Sequence, residues 1–240
     1  MTKGVYSALS GAVAAEVQLD TIAQNLANAG TSGYQRLRPI FREALADADK
    51  GEGANTTRFA APVGTVIDMS PGVMRATGRV LDVVPPEDTF FTVSTDRGER
   101  FTKSGALELS GDGTLRVAGH SILDDKGQPI VVPQGATASI SEEGDVLVDG
   151  EPLARIKLVT FREPPSLSKE GALLFASTAS SGQPESASGN LRVGQLEESN
   201  ANPVVAMTEL LSTSRLFDAF QRAIDTFRDA DRRIVKVSEV

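Results

Sequence analysis

The chain contains no cysteine, no tryptophan and a single histidine among its 240 residues. The absence of cysteine excludes disulfides, thiolate metal sites and cysteine nucleophiles. The one histidine, His120, has no G-x-S-x-G motif elsewhere in the chain to supply a nucleophile. Glycine-rich phosphate-binding motifs are also absent. We therefore expect no catalytic residues, no metal site and no cofactor.

Long apolar runs are missing as well. No stretch approaches the roughly 20 apolar residues of a spanning helix, so we expect no membrane insertion. The first residues lack the apolar segment and cleavage site of a secretory signal, so we expect no cleaved leader. With 24 basic and 32 acidic residues the net charge is -8, which opposes binding to nucleic acid.

What the chain does have is an amphipathic pattern at each end. Near the N-terminus, small or apolar residues alternate at spacings of three and four: Val5, Ala8, Ala12, Ala15, Leu19, Ile22, Leu26 and Ala29. This heptad seam predicts a helix over about residues 3–28 that stops at Gly30 and Gly33. The pattern alone fits either a core helix of one domain or one helix of a coiled coil.

A second helix is predicted at the C-terminus. Asn202 is a favourable N-cap and Pro203 suits the first helical position. The seam continues at three and four spacing through Leu210, Thr213, Phe217, Phe220, Ile224, Phe227, Asp231 and Ile234. Two of these positions are polar, which weakens a coiled-coil interpretation without excluding it.

Between the helices the pattern changes to short alternating runs. Strands are predicted at 89–95, 105–109, 114–118, 137–140, 145–148 and 153–161. Turns are predicted at 111–113, 125–127, 143–145 and 149–150. Each of these segments combines glycine with an acidic residue, as tight hairpin turns commonly do. Residues 31–62 and 177–189 lack periodicity and are interpreted as linkers or long loops. The sequence therefore predicts an α+β fold with a central all-β domain of short antiparallel strands.

Both terminal segments carry extended motifs. Residues 6–35 read YSALSGAVAAEVQLDTIAQNLANAGTSGYQ, and residues 196–225 read LEESNANPVVAMTELLSTSRLFDAFQRAID. The first resembles the N-terminal signature of flagellar rod and hook proteins, and the second resembles their C-terminal signature. The middle of the chain, including SPGVMRATGRVLDV (70–83), is similar to the β domain of the same family. The resemblance therefore covers nearly the whole chain.

The resemblance implies a structural subunit of the bacterial flagellar basal-body rod. In such proteins the N- and C-terminal helices pair as a coiled coil that lines an inner tube, and the β domain lies outside. It implies a discontinuous helical domain (1–30 and 202–240), an extended connection (31–70), an outer β domain (71–176) and a returning linker (177–201). The N-P-V-x-A-M form and the chain length favour the proximal rod, with a distal rod or hook-type axial protein as the alternative.

The resemblance also implies partners and a location. The partners are other copies of the chain, other rod proteins and the flagellar type III export apparatus, and the location is the rod in the periplasm. The expected assembly interface comprises Val5, Leu9, Leu19, Ile22, Asn25, Leu26, Asn28, Asn202, Pro203, Met207, Leu210, Phe217, Phe220, Ile224, Phe227 and Ile234. We expect the terminal helices to be poorly ordered before assembly.

Two other classes of function remain open from the residues. A β-rich binding module could use its terminal helices to form a homodimer, and light scattering would distinguish a closed dimer from open-ended growth. A peptidoglycan hydrolase would need a carboxylate pair or a histidine-centred site. The acidic pairs in this sequence fall in predicted turns, so they support no such site.

Overall fold

The computed structural model describes residues 2–46 and 57–238, which form two long helices and eighteen strands. The helices are α1 (Thr2–Ala27) and α2 (Pro203–Ser238). The strands are β1 (Leu37–Ala46), β2 (Thr57–Ile67), β3 (Met74–Ala76), β4 (Val83–Val84), β5 (Thr89–Thr95), β6 (Gly98–Thr102), β7 (Leu107–Leu109), β8 (Leu115–Val117), β9 (His120–Ile122), β10 (Ala138–Ile140), β11 (Asp145–Val148), β12 (Glu151–Arg155), β13 (Leu158–Thr160), β14 (Ser168–Glu170), β15 (Leu174–Ala176), β16 (Glu185–Ala187), β17 (Arg192–Val193) and β18 (Gln195–Glu197). The predicted α+β class is confirmed.

The chain divides into two compact units. The helical unit comprises residues 1–27, 37–66 and 202–240, and the β unit comprises residues 28–36 and 67–201. Among the residues that the structure describes, neither helix is long and apolar enough to cross a membrane.

In the helical unit, α1 and α2 pack against each other and run in opposite directions. Gly4 lies beside Phe227, and Gly11 lies beside Phe220. The start of α2 is where the sequence predicts it, because the backbone N–H groups of Val204 and Val205 donate to Asn202 Oδ1 at 2.9 and 3.2 Å. Pro203 is its first residue, so both start signals of this helix are confirmed.

The helical unit also contains a two-stranded sheet formed by β1 and β2. These strands fall in residues 31–70, interpreted from the sequence as an extended connection containing a linker or long loop. Asn25 of α1 binds the backbone of Leu37 in β1 in both directions: Asn25 Nδ2 donates to the Leu37 carbonyl, and the Leu37 N–H donates to Asn25 Oδ1, each at 2.8 Å. The side-chain amide thus fixes the start of β1 to the last turns of α1.

The β unit is built around a sheet with strand order β14-β15-β6-β5-β9-β8-β7, in which β13 pairs with both β5 and β16. A separate sheet has the order β10-β11-β12, and β4 and β3 pair with β17 and β18. The registered pairs of this unit are antiparallel, as predicted. Its core includes Phe91, Val93, Leu107, Leu115 and Ile122, all fully buried.

The predicted hairpin turns are confirmed by their backbone geometry. The β11–β12 connection places Asp149 and Gly150 at φ 50° and 90°. Left-handed values at both central residues are those of a type I′ turn, for which Asp-Gly is a favoured pair.

Two predictions for the β unit differ from the structure. The single strand expected at 153–161 is divided into β12 and β13, because the backbone partner changes at this point: Ile156 N–H donates to the Gly144 carbonyl and Lys157 N–H to the Leu123 carbonyl. The Ser/Gly-rich segment interpreted as a linker contributes β16, which pairs with β13. With three polar or small residues, β16 has no alternation that a sequence pattern could reveal.

Candidate assembly interface

The contact between α1 and α2 is a row of small residues facing a row of large ones. On α1, Ala8, Ala12 and Ala15 are buried. On α2, the aromatic rings of Phe220 and Phe227 lie over glycines. A Cβ atom on Gly11 would lie 2.5 Å from carbons of the Phe220 ring, and one on Gly4 would lie 2.8 Å from the Phe227 ring. The absent side chains therefore allow the aromatic rings to approach the α1 backbone.

Most of the predicted seam residues are buried or half-buried in the structure. Ile22 is buried. The half-buried members of the predicted set are Val5, Leu19, Leu26, Leu210, Phe217, Phe220, Ile224 and Phe227. Ile234 belongs to α2, and its side chain lies outside the described part of the chain.

The predicted asparagines have backbone roles. Asn25 holds Leu37, and Asn202 caps α2. The carbonyl of Asn28 accepts the N–H of Thr31 in the turn that follows α1. Pro203 and Asn202 are exposed.

Two rows of apolar residues on the helices remain uncovered. Tyr6, Leu9 and Val13 on α1 recur at spacings of three and four and are 40% to 65% exposed. Val204, Met207 and Leu211 on α2 do the same and are 54% to 71% exposed. We call these rows the α1 stripe and the α2 stripe. Contiguous exposed apolar residues of this kind mark interaction surfaces.

Sequence reasoning included only one member of each stripe, Leu9 and Met207. The other four residues were missed, although the same spacing of three and four runs beside the seam on both helices. Gly4 and Gly11 were also missed, since a glycine within a helical pattern does not by itself reveal what packs against it.

A polar junction in the β unit joins the ends of the two terminal signatures. Gln35 Nε2 donates to Glu197 Oε1 at 3.0 Å, and Asn200 Nδ2 donates to Gln35 Oε1 at 2.9 Å. Asn200 Oδ1 accepts a hydrogen bond from the backbone N–H of Arg36 at 2.7 Å. Asn200 Nδ2 also donates to the backbone carbonyls of Asp68 and Ser70, each at 2.8 Å. One asparagine thus holds three separate passages of the chain together.

The C-terminal signature begins ahead of the second helix. Leu196 and Glu197 belong to β18, and α2 begins at Pro203, where the sequence predicts it. The side chains of Glu197 and Asn200 bond to residues 35 and 36 and so tie the start of this signature to the end of the N-terminal one.

The charges at the junction have shifted pKa values. Burial alone would raise the pKa of Asp68, but hydrogen bonds with Ser70 and the ion pair with Arg36 at 2.7 Å lower it to about 2. Burial lowers the pKa of Lys169 to about 7 and raises that of Tyr34 to about 12. The Lys169 ammonium lies 3.3 Å from the centroid of the Tyr34 ring and donates to the Gln35 carbonyl.

In the described residues no group of three or more His, Asp or Glu side chains is arranged to hold a metal ion.

Comparison with known proteins finds matches at both terminal signatures. Residues 5–35 match the family described as flagella basal body rod protein, and residues 192–237 match the C-terminal family of flagellar basal body rod FlgEFG proteins. The flagellar basal-body rod protein FlgF of Escherichia coli (strain K12) is 31% identical over 95% of each chain, and that of Caulobacter vibrioides is 27% identical over 98% of each. FlgG of Bacillus subtilis (strain 168) is 28% identical over 99% of each chain. The chain therefore belongs to the family of flagellar basal-body rod proteins and resembles its FlgF members.

Proposed function

We propose that the chain is a structural subunit of the proximal rod of the flagellar basal body. It assembles through its terminal helices into a helical tube that transmits torque, and it performs no catalysis. The observation that carries this proposal is the pair of uncovered apolar rows, the α1 stripe and the α2 stripe. Apolar surface on two adjacent helices is stabilised when it is buried against neighbouring subunits.

The positions of the stripes favour open-ended growth. Because Gly4 lies beside Phe227 and Gly11 beside Phe220, Met207 is opposite approximately residue 24 of α1. Leu9 and Met207 are then about 22 Å apart along the helix pair, at 1.5 Å per residue. When the α1 stripe of one copy packs on the α2 stripe of the next, the contact is heterologous and leaves one stripe free at each end of the assembly for a further copy.

The helix pair itself is the second part of the proposal. We assign α1 and α2 to a coiled coil, supported by the seam spacing and by the burial of Ala8, Ala12, Ala15 and Ile22. Residues 1–30 and 202–240 act as the assembly domain, and residues 71–176 form the outer domain. Residues 31–70 and 177–201 link these parts along the chain. The first segment contributes β1 and β2 to the helical unit, and the second contributes β16, β17 and β18 to the β unit.

The location and partners follow from the family. The subunit lies in the basal-body rod where the rod spans the periplasm, and it contacts further copies and other rod proteins. It reaches this place through the flagellar type III export apparatus. These assignments rest on the FlgF relatives.

A distal rod subunit is the second candidate. The observation that favours it is the similarity to FlgG of Bacillus subtilis, which extends over 99% of both chains.

Deletion of the gene, followed by electron microscopy of purified basal bodies, tests the proposal. We expect basal bodies without a completed proximal rod and cells that do not swim, with both restored by the wild-type gene on a plasmid. A rod that stops only beyond its proximal part would favour the distal assignment. An intact rod with normal swimming would contradict both.

A further inference from the structure

The β unit contains a cavity of about 480 Å³ that the assembly proposal does not use. Met69, Met74 and Pro85 contribute apolar surface to its wall. The charged side chains of the wall are those of Glu87, Lys103, Arg192 and Glu197. Small-molecule sites are typically roughly 300–1,000 Å³ in volume, largely apolar, with a few convergent polar groups. The volume of this cavity lies in that range, and its lining combines apolar residues with five polar or charged ones.

Lys103 is the unusual member of the wall. It is only 4% exposed. Among the described residues its ammonium makes no hydrogen bond and no ion pair, and its one recorded contact is the ring of Phe90, whose centroid is 5.5 Å from Nζ. An ammonium has three donors, and an aromatic face compensates only part of what a buried cation loses on leaving water.

The neighbouring carboxylate of Glu197 does not neutralise this lysine. Its Oε1 atom accepts the Gln35 side-chain amide at 3.0 Å and the Gly72 N–H at 2.9 Å. These bonds hold the carboxylate in the junction, outside ion-pair distance of Lys103. Lys103 therefore brings to the cavity an amino group whose hydrogen-bond donors have no partner among the described residues.

We propose that this cavity binds a monocarboxylate with a short apolar stem. The carboxylate accepts hydrogen bonds from Lys103 Nζ, and the stem packs against Met69 and Met74. A doubly charged anion such as phosphate fits poorly, because Glu87 and Glu197 balance the formal charges of Lys103 and Arg192 in the lining and leave no net positive charge to hold it. The same chemistry is carried by a free short-chain acid and by the glutamate side chain of a neighbouring protein.

The test is an NMR titration of the ¹⁵N-labelled full chain with sodium butyrate, and with n-butylammonium chloride at equal ionic strength as the control. Butyrate is expected to shift the amide signals of Gly72, Lys103 and Asn190 saturably, with a dissociation constant in the millimolar range. Butylammonium has the same stem and the opposite charge, and it is expected to leave these signals in place. Absence of saturable shifts up to about 100 mM butyrate, or equal shifts with both probes, would overturn the proposal.

Variants identify the binding group. Lys103→Met keeps the length of the side chain and removes its charge, and it is expected to weaken butyrate binding at least about tenfold. Lys126→Met, at an exposed turn position, is the matched control and is expected to bind as the wild type does. Unchanged binding in a folded Lys103→Met chain would refute the site.

If Lys103→Met does not give the wild-type circular dichroism spectrum, Asn190→Asp replaces it. Asn190 is exposed and lines the cavity, so its carboxylate would compete for Lys103 and weaken binding without affecting the core. Unchanged affinity in this variant would equally count against the site.

A parallel titration with N-acetylglutamate α-amide separates the two sources. Tighter binding than butyrate indicates a protein side chain, and weaker binding indicates a free acid. Because the cavity lies within one unit and is assayed on the single chain, a negative result here would leave the assembly proposal unaffected.

Discussion

Gly11 is a residue at which α1 lies close against the Phe220 ring of α2, and its replacement tests that contact. In an isolated helix Gly11→Ala would be stabilising by about 1 kcal/mol, because alanine has the higher helix propensity. In the helix pair the new Cβ would meet the Phe220 ring at 2.5 Å, and overpacking of this kind costs about 1–3 kcal/mol. We therefore expect Gly11→Ala to reduce swimming-ring diameter and the yield of complete basal bodies in a complemented deletion strain.

Two further variants make the Gly11 result specific. Adding Phe220→Ala to Gly11→Ala removes the clashing ring, so the alanine should then be neutral or beneficial relative to Phe220→Ala alone. Gly30→Ala serves as the matched control, because a Cβ there meets no atom within 4 Å. Equal swimming of the Gly11→Ala and Gly30→Ala strains would show that the close approach has no role.

Asn200 is expected to be costly to lose, because its one side chain bonds to two other passages of the β unit. Truncation to alanine removes its bonds to the Arg36 N–H, the Gln35 side chain and two backbone carbonyls, and it leaves partly buried groups without partners. Asn200→Ala should lower the free energy of unfolding by about 2–4 kcal/mol in urea titrations followed by circular dichroism. The exposed control Gln183→Ala should change it by less than about 0.5 kcal/mol, and a similar small value for Asn200→Ala would contradict the role assigned to the junction.

Lys169 should make stability depend on pH in the alkaline range. Burial lowers its folded-state pKa to about 7, below the usual value of 10.5, so between these pH values the unfolded chain binds the additional proton. Stability contributed by this group therefore rises as the pH increases from 7 towards 10.5. The opposing effect of Tyr34, whose pKa is raised to about 12, begins only near pH 10. Urea unfolding at pH 7, 8 and 9 should show that the free energy of unfolding increases with pH. Lys169→Met should abolish this increase. The same increase in the Lys169→Met variant would show that another group causes the pH dependence.

At the scale of elements, the two stripes should be dispensable for folding and required for assembly. Leu9→Glu and Met207→Glu place a carboxylate where the isolated chain is exposed and where a neighbour would bury it, which is unfavourable without a counter-ion. We expect each variant to keep the melting curve of the isolated chain and to abolish swimming. Ala23→Glu and Ser212→Glu add the same charge at exposed positions outside the stripes and should be tolerated. Normal swimming of both stripe variants would remove the main support for the assembly proposal.

The elements that the sequence predicts are those with a strong local signal. The seam defines α1 to within one or two residues, Asn202 and Pro203 define the start of α2, and Asp149-Gly150 defines a hairpin. Strands β1 and β2 were not predicted, because Pro39 interrupts one pattern and Pro62 and Gly64 the other. A two-stranded sheet tolerates such residues, since each of its strands has a free edge.

The residues of the candidate interface and of the polar junction likewise fall into those that a sequence pattern predicts and those that it does not. Ile22 and Phe220 were predicted because a seam is periodic in sequence. The junction was not, because Gln35 and Asn200 are 165 residues apart and a bond between two side-chain amides leaves no periodic pattern at either end. The fit of Gly11 against Phe220 is likewise a property of two distant segments that only the folded chain brings together.

For the whole molecule, the two units differ in how much apolar surface secures them. The β unit buries large side chains such as Phe91, Leu107 and Ile122 in a continuous core. The helix pair buries mainly the small side chains of Ala8, Ala12 and Ala15, while its aromatic residues remain half-exposed. Apolar burial contributes about 25 cal/mol per Å², and ordering a residue costs about 1–2 kcal/mol. The helix pair is therefore expected to gain much of its stability from neighbouring subunits.

Hydrogen exchange read by mass spectrometry tests this difference directly. In dilute monomer, amides of residues 1–27 and 203–238 should exchange within seconds, whereas the strands around Phe91 and Leu107 should exchange slowly because they open only with the β core. In purified basal bodies the helical segments should become protected, since each apolar stripe is then covered by another subunit. Leu9→Glu monomer provides the matched control and should exchange as wild-type monomer does. Strong protection over residues 1–30 in the dilute wild-type monomer would mean that the helix pair is stable alone, and that the stripes serve assembly without being needed to order the helices.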